Sequence, residues 1–174
     1  MNGRRLIAWA PLGGAVLLGA ALSYGLARPD DRSISSAMVG AAVPAFALPP
    51  ASPTRPGLSS AALRTGRPHL LNFFASWCVP CAAEAGQLRQ VAAAGLPVVG
   101  IAVRDRPDEL DAFLQRNGNP YGAIGGDIAS RVAMDFGSSG VPESFLVDGQ
   151  GRIIRQIIGP IGPDDVAALL KDAR

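Results

Sequence analysis

The stretch "HLLNFFASWCVPCAAEAGQLRQVAAA", residues 69–94, constrains the fold more than any other part of the chain. It opens on an apolar run, 69–75, of the length and character of a buried strand. It closes on a segment, 81–94, in which Ala85, Leu88 and Val91 recur at helical spacing before a stop at Gly95. At the join lie the only cysteines of the chain, Cys78 just before the helical segment and Cys81 as its first residue. A strand that feeds a helix returns to its sheet by a crossover, so the next buried run, 96–104, is expected to pair with it in parallel.

The rest of the pattern extends that unit. Residues 107–118 read as a helix, with acids in the first turn and Leu110, Phe113 and Leu114 on one face. Residues 127–137 read as a third helix capped by Asp127. Two runs, 143–148 and 152–159, flank a short turn and form an antiparallel hairpin, and 162–173 reads as the closing helix. Upstream, Val43–Leu48 reads as a short first strand, followed by a proline-rich loop. The expected class is α/β, a central mixed β-sheet with helices on both faces.

Residues 6–27 contain no charge, and 22 residues of helix extend roughly 33 Å, enough to span a bilayer. Trp9 and Tyr24 sit near the two ends, where interface anchors belong. Arg4 and Arg5 hold residues 1–5 in the cytoplasm and send the remainder across. The reading is a cytoplasmic tail (1–5), a transmembrane anchor (6–27), a linker (28–37) and a folded domain (38–174). A cleaved signal peptide is the alternative, and both export the domain. The same two arginines account for the formal charge of +2, and the remaining 14 basic and 14 acidic side chains balance. No basic run marks a nucleic-acid partner.

Export places the cysteines in an oxidising compartment. A disulfide that encloses only two residues would constrain the unfolded chain little, which argues against a purely structural bridge. Structural zinc needs four ligands, and the chain offers two cysteines and His69, which reads as an ordinary edge residue; no metal site is expected. The redox reading fits the placement. Cys78, between strand and helix, meets free N–H groups and the positive end of the helix dipole, which favour a thiolate. Pro80 fits the first helical turn. Cys78 is then the exposed nucleophile, and the more buried Cys81 resolves the mixed disulfide.

"NFFASWCVPC" at a strand end, "GVPESFLVD" about sixty residues on and the late hairpin together resemble the thioredoxin-like superfamily. The charge-free N-terminal segment, "VGAAVPAFALP" (39–49), Glu84, "NGNPYG" (117–122) and "GVPESFLVDGQGRIIRQIIG" (140–159) make the chain similar to the membrane-anchored CcmG/DsbE branch, with TlpA and ResA types as relatives. The resemblance covers roughly residues 38–172. It implies a cis-proline at Pro142, opposite the cysteines, that presents the Val141 backbone to an extended substrate chain. Gly140 would supply backbone freedom ahead of it. Asn72 stands where thioredoxin carries a buried acid, and an amide cannot take a proton. Glu84, one helical turn past Cys81, and Glu143, on the loop after Pro142, match acidic positions of the branch and are the candidate proton acceptors. Trp77 reads as a cover for the sulfurs and a flat contact surface for substrate. Arg104, Asp105 and Arg106 read as loop charges without a role.

The function so implied is reduction of disulfides in apocytochrome c CxxCH segments, or in cytochrome c maturation proteins, through the Cys78–Cys81 dithiol/disulfide. A membrane donor of the DsbD/CcdA type would restore the thiols. The location is the bacterial inner membrane, with the domain in the periplasm. No cofactor is expected beyond the redox disulfide: Ala82 follows Cys81, so the chain has no CxxCH of its own. The alternatives are a general periplasmic reductase of the TlpA type, an oxidant, and a non-catalytic module that binds apocytochrome.

Overall fold

The computed structural model describes residues 13–20, 23–24 and 38–174. The chain divides into two compact units, 1–32 and 33–174. In the first, residues 13–20 and 23–24 are helical and exposed. Among the described residues no helix is long and apolar enough to cross a membrane. The expected tail (1–5) and linker (28–37) lie outside the described residues, as does part of the expected anchor (6–27).

In the second unit the strands are β1 (Ala47–Leu48), β2 (Leu58–Ser59), β3 (His69–Phe74), β4 (Val98–Val103), β5 (Ile124–Asp127), β6 (Glu143–Val147) and β7 (Ile153–Ile158). The helices are α1 (Val79–Ala93), α2 (Pro107–Asn117), α3 (Arg131–Asp135) and α4 (Pro163–Asp172). Strands β3 to β7 form one sheet in the order β5-β4-β3-β6-β7. The β3–β4 and β4–β5 pairs are parallel, and β3–β6 and β6–β7 are antiparallel. This is the mixed sheet expected from early crossovers and a late hairpin.

β3 is the centre of the sheet, and every one of its residues is buried. Its side chains alternate between two cores, as period two demands. Leu70 and Phe74 meet Leu88 and Val91 of α1, Phe113 and Leu114 of α2, and Leu169 of α4. Leu71 and Phe73 face the opposite side, with Ile101, Phe136 and Phe145. There Phe73, Phe136 and Phe145 pack edge to face at 5.1–5.7 Å between ring centroids. Helices therefore cover both faces, α1, α2 and α4 on one and α3 on the other.

Four expectations are corrected. β5 is a strand that its sequence hides: "IGGD" has one large apolar residue and two glycines, poor strand formers. Gly125 is required there, because a Cβ would lie 2.8 Å from the Leu48 side chain of the β1–β2 hairpin. The third helix starts at Arg131, not 127. Asp127 still caps it, from the end of β5, by accepting the Arg131 and Ala133 N–H groups at 2.9 Å. The first strand is only Ala47–Leu48. His69 is not at an edge: it opens the central strand, is 7% exposed, and burial holds its pKa below the usual histidine value.

Candidate active site

The topology delivers three loops to one end of the sheet. β3 and β4 run in parallel, so the turns after Phe74 and Val103 emerge side by side. β6 runs antiparallel and starts opposite Phe73, so the loop that precedes Glu143 enters at the same place.

Cys78 is the N-cap of α1, and its Sγ accepts the Cys81 N–H at 3.2 Å. The two cysteines form a disulfide, with Cα atoms 5.3 Å apart. A free thiolate in that position would keep the same N–H donor and the positive end of a 15-residue helix. The expected contrast in exposure is absent: Cys78 is 5% and Cys81 2% exposed. As an N-cap, Cys78 folds its sulfur back over the helix end, and its chain neighbours Trp77 and Val79 are 57% and 81% exposed.

Behind the pair lies a closed polar cluster. Glu84 is 1% exposed. Its Oε1 accepts from Asn72 Nδ2 at 3.0 Å and its Oε2 from the Ile161 N–H at 2.8 Å. Asn72 Nδ2 also donates to Ser144 Oγ at 3.0 Å, while Asn72 Oδ1 accepts the Tyr121 hydroxyl at 2.7 Å. Burial pushes the Glu84 carboxyl up to about 7, and the two N–H donors hold it from rising further. Burial and the neighbouring Glu84 charge push Tyr121 well above the usual phenol value. Asn72 thus orients an acid and need not be one itself. Tyr121, Ser144 and Ile161 are members of the site that the sequence does not mark as such. Tyr121 and Ser144 lie inside the quoted "NGNPYG" and "GVPES" motifs, whereas a backbone N–H carries no sequence signal.

Glu143 is a separate feature. It is 0% exposed and is the first residue of β6, not a loop residue. Its carboxylate accepts from Ser138 Oγ at 2.7 Å, from the Ser139 N–H at 2.9 Å and from Gln156 Nε2. Among the described residues it shares no hydrogen-bond partner with Glu84, and its bonds tie the 138–139 turn to β7. The Val141–Pro142 peptide bond is cis, and Gly140 before it has φ 155°, which side-chain-bearing residues rarely adopt.

The loop after β4 has a structural task. Asp105 is buried, and its carboxylate accepts the Ser76 N–H and the Ser76 hydroxyl, each at 2.6 Å, and the Arg106 N–H at 2.9 Å. The Arg104 carbonyl accepts the Trp77 indole N–H at 3.3 Å. The two residues that lead into Cys78 are therefore clamped by the neighbouring strand's loop. The only hint was position: Asp105 follows the carboxyl end of a parallel strand, where α/β proteins place functional groups. Among the described residues no group of three or more His, Cys, Asp or Glu side chains could hold a metal ion.

The AhpC/TSA family model matches residues 39–156, a stretch that holds the sheet up to β7, the cysteine pair and both glutamates. The chain belongs to the AhpC/TSA family. The thiol:disulfide interchange protein HelX of Rhodobacter capsulatus is 37% identical over 141 residues, 81% of this chain and 80% of HelX. DsbE of Escherichia coli is 36% identical over 166 residues, 92% of this chain and 89% of DsbE. The crystal structure of a DsbE from Chlorobium tepidum superposes with a TM-score of 0.66 at 28% identity, over 78% of this chain and 95% of that one. The fold is thioredoxin-like, and the protein is a thiol-disulfide oxidoreductase of the DsbE and HelX kind with Cys78 and Cys81 as its redox pair.

Proposed function

We propose that the protein is a reductant: an inner-membrane-tethered, periplasmic enzyme of cytochrome c biogenesis that reduces disulfides in apocytochrome c or its maturation partners. The tether would be residues 6–27, with 1–5 cytoplasmic, 28–37 a linker and 38–174 the working domain. The cytochrome c assignment rests on the resemblance to the CcmG/DsbE branch. The direction of electron flow rests on Glu84, buried one helical turn beyond Cys81 and titrating at about 7. Once ionised, such a carboxylate opposes a second negative charge on the nearby sulfurs. Strong oxidants are built the other way, with their reduced thiolate stabilised.

In the reductive step the Cys78 thiolate attacks one sulfur of the substrate disulfide. A mixed disulfide forms, and the substrate's other sulfur leaves as a thiolate that takes up a proton. Cys81 gives its proton to Glu84 and attacks Cys78 Sγ. This closes the Cys78–Cys81 disulfide and frees the second substrate thiol. Two electrons pass to the substrate, and a membrane donor of the DsbD/CcdA type returns them. Val141 and Pro142, with Trp77, would line the substrate chain, and Glu143 would hold the turn that carries Gly140 and Val141.

The test is the reduction potential of the Cys78–Cys81 couple. A value near that of thioredoxin, about −270 mV, supports the reductant, and one near −120 mV overturns it in favour of an oxidant. A Cys78→Ser/Cys81→Ser double variant separates enzyme from binding module: loss of c-type cytochrome assembly is expected, and retained assembly would leave only a non-catalytic role.

A further inference from the structure

A cation at the mouth of the site takes no part in the exchange chemistry described above. A groove of about 300 Å³ starts at Trp77, next to Cys78, and is walled by Val103, Arg104, Met134, Gly140 and Val141 among others. Trp77 and Met134 give it exposed apolar walls, at 57% and 65% exposure. Among the described residues, Arg104 is the only charged one that lines it, and no carboxylate lies on its walls.

Arg104 is held in place. Its backbone is left-handed, with φ 49°, and its N–H donates to the Asp127 carbonyl at 3.2 Å. Its Nε donates to Ser130 Oγ at 2.7 Å, and Ser130 is itself left-handed, with φ 57°. Among the described residues these are the only non-glycine residues with positive φ, and they are bonded to each other. Such backbone strain persists only where surrounding contacts over-determine it. The anchor uses Nε alone. The terminal nitrogens, Nη1 and Nη2, have no acceptor among the described residues. A guanidinium fixed at Nε with a free terminal fork is preorganised for a carboxylate.

We propose that Arg104 is a specificity-determining residue: it binds the carboxylate of an Asp or Glu that flanks the disulfide of a polypeptide substrate lying in the Trp77–Val141 groove. The inference rests on the reading above that the substrate is a protein disulfide. The occupant is an extended polypeptide because the apolar walls require side-chain contacts that a small anion lacks. The acidic flank follows from the charge of a groove with one cation and no acid.

The test uses the reduced protein and two synthetic peptides, each with an intramolecular C-x-x-C disulfide. One carries Glu two residues before and two residues after the pair, and the other carries Gln there. The readout is the ratio of the single-turnover second-order rate constants for the two peptides at low salt. We expect a ratio of about five to ten for the natural protein, falling to about one in Arg104→Gln. Arg104→Asn, which tolerates a left-handed backbone, is a second variant with the same expectation. Ser130→Ala, which frees Nε, should give an intermediate ratio. A natural-protein ratio near one, or a preference that survives in either Arg104 variant, overturns the proposal. Failure of the natural protein to exchange with either peptide overturns the protein-disulfide reading, and Arg104's role with it. A normal rate with a flat ratio overturns Arg104's role alone.

Discussion

The two sides of the cysteine pair are built on opposite plans. Behind Cys81, Asn72, Glu84, Ser144 and Tyr121 are 0–3% exposed, and their hydrogen bonds close on one another and on the Ile161 N–H. Ahead of Cys78, Trp77 and Arg104 face solvent, with Asp105 and Ser130 buried beneath them. In the closed cluster low polarity makes each polar partner count, so a carboxyl there titrates near neutrality. At the open rim the same residue types fix geometry: Asp105 holds Ser76, and the Arg104 carbonyl holds Trp77. The proton handling proposed for Glu84 falls on the sealed side, and the recognition proposed for Trp77 and Arg104 on the open one.

The sharpest break of that contrast is Glu84→Gln. The folded protein raises the Glu84 carboxyl from 4.5 to about 7, so between those values the native state holds a proton that the unfolded state has released. The stability linked to this group is full below pH 4.5 and is lost as pH rises through about 7. The linkage is worth up to about 3 kcal/mol. Urea unfolding at pH 4.5 and 8 should show the variant gaining on the natural protein by about that amount as pH rises. Parallel pH curves would mean that Glu84 does not titrate in the neutral range.

On the open side, Asp105→Ala leaves the Ser76 and Arg106 N–H groups without their acceptor, for a loss of about 1–3 kcal/mol. Loosening the turn before Cys78 should also slow exchange about tenfold, because small misplacements of a reacting group are costly. A folded variant with an unchanged exchange rate would confine Asp105 to stability. The smallest effect belongs to Trp77→Phe. It removes one exposed hydrogen bond and should move unfolding by less than about 0.5 kcal/mol. A larger shift in a melting experiment would make Trp77 a core residue and weaken the contrast.

Much of this was legible in the linear chain where the pattern was periodic or chemically singular. Strands 69–75 and 96–104, helix 107–118 and the final hairpin announced themselves through runs and spacing, and the placement of Cys78 and Cys81 followed from them. β5 was not legible, because Gly125 is chosen for its lack of a side chain against Leu48 and not for strand preference. Asp105 looked like any loop charge, because its acceptor role depends on Ser76, 29 residues away in sequence. Glu143 read as a loop acid and candidate proton acceptor, because the Ser138, Ser139 and Gln156 groups that enclose it come together only when β6 and β7 pair.

Local pattern along the chain was enough to show that one α/β domain carries a redox pair at the start of a helix. Hydrophobic period and turn chemistry are local properties, and the cysteines lie within a single strand–helix unit. Which charges matter emerged with the packing of the folded chain. That packing separated Glu84 from Glu143, gave Asn72 an orienting task, and raised Asp105 and Arg104 from loop charges to parts of the site. The physical reason is that burial and hydrogen-bond partners set what a charged side chain does, and both are supplied by residues far away along the chain.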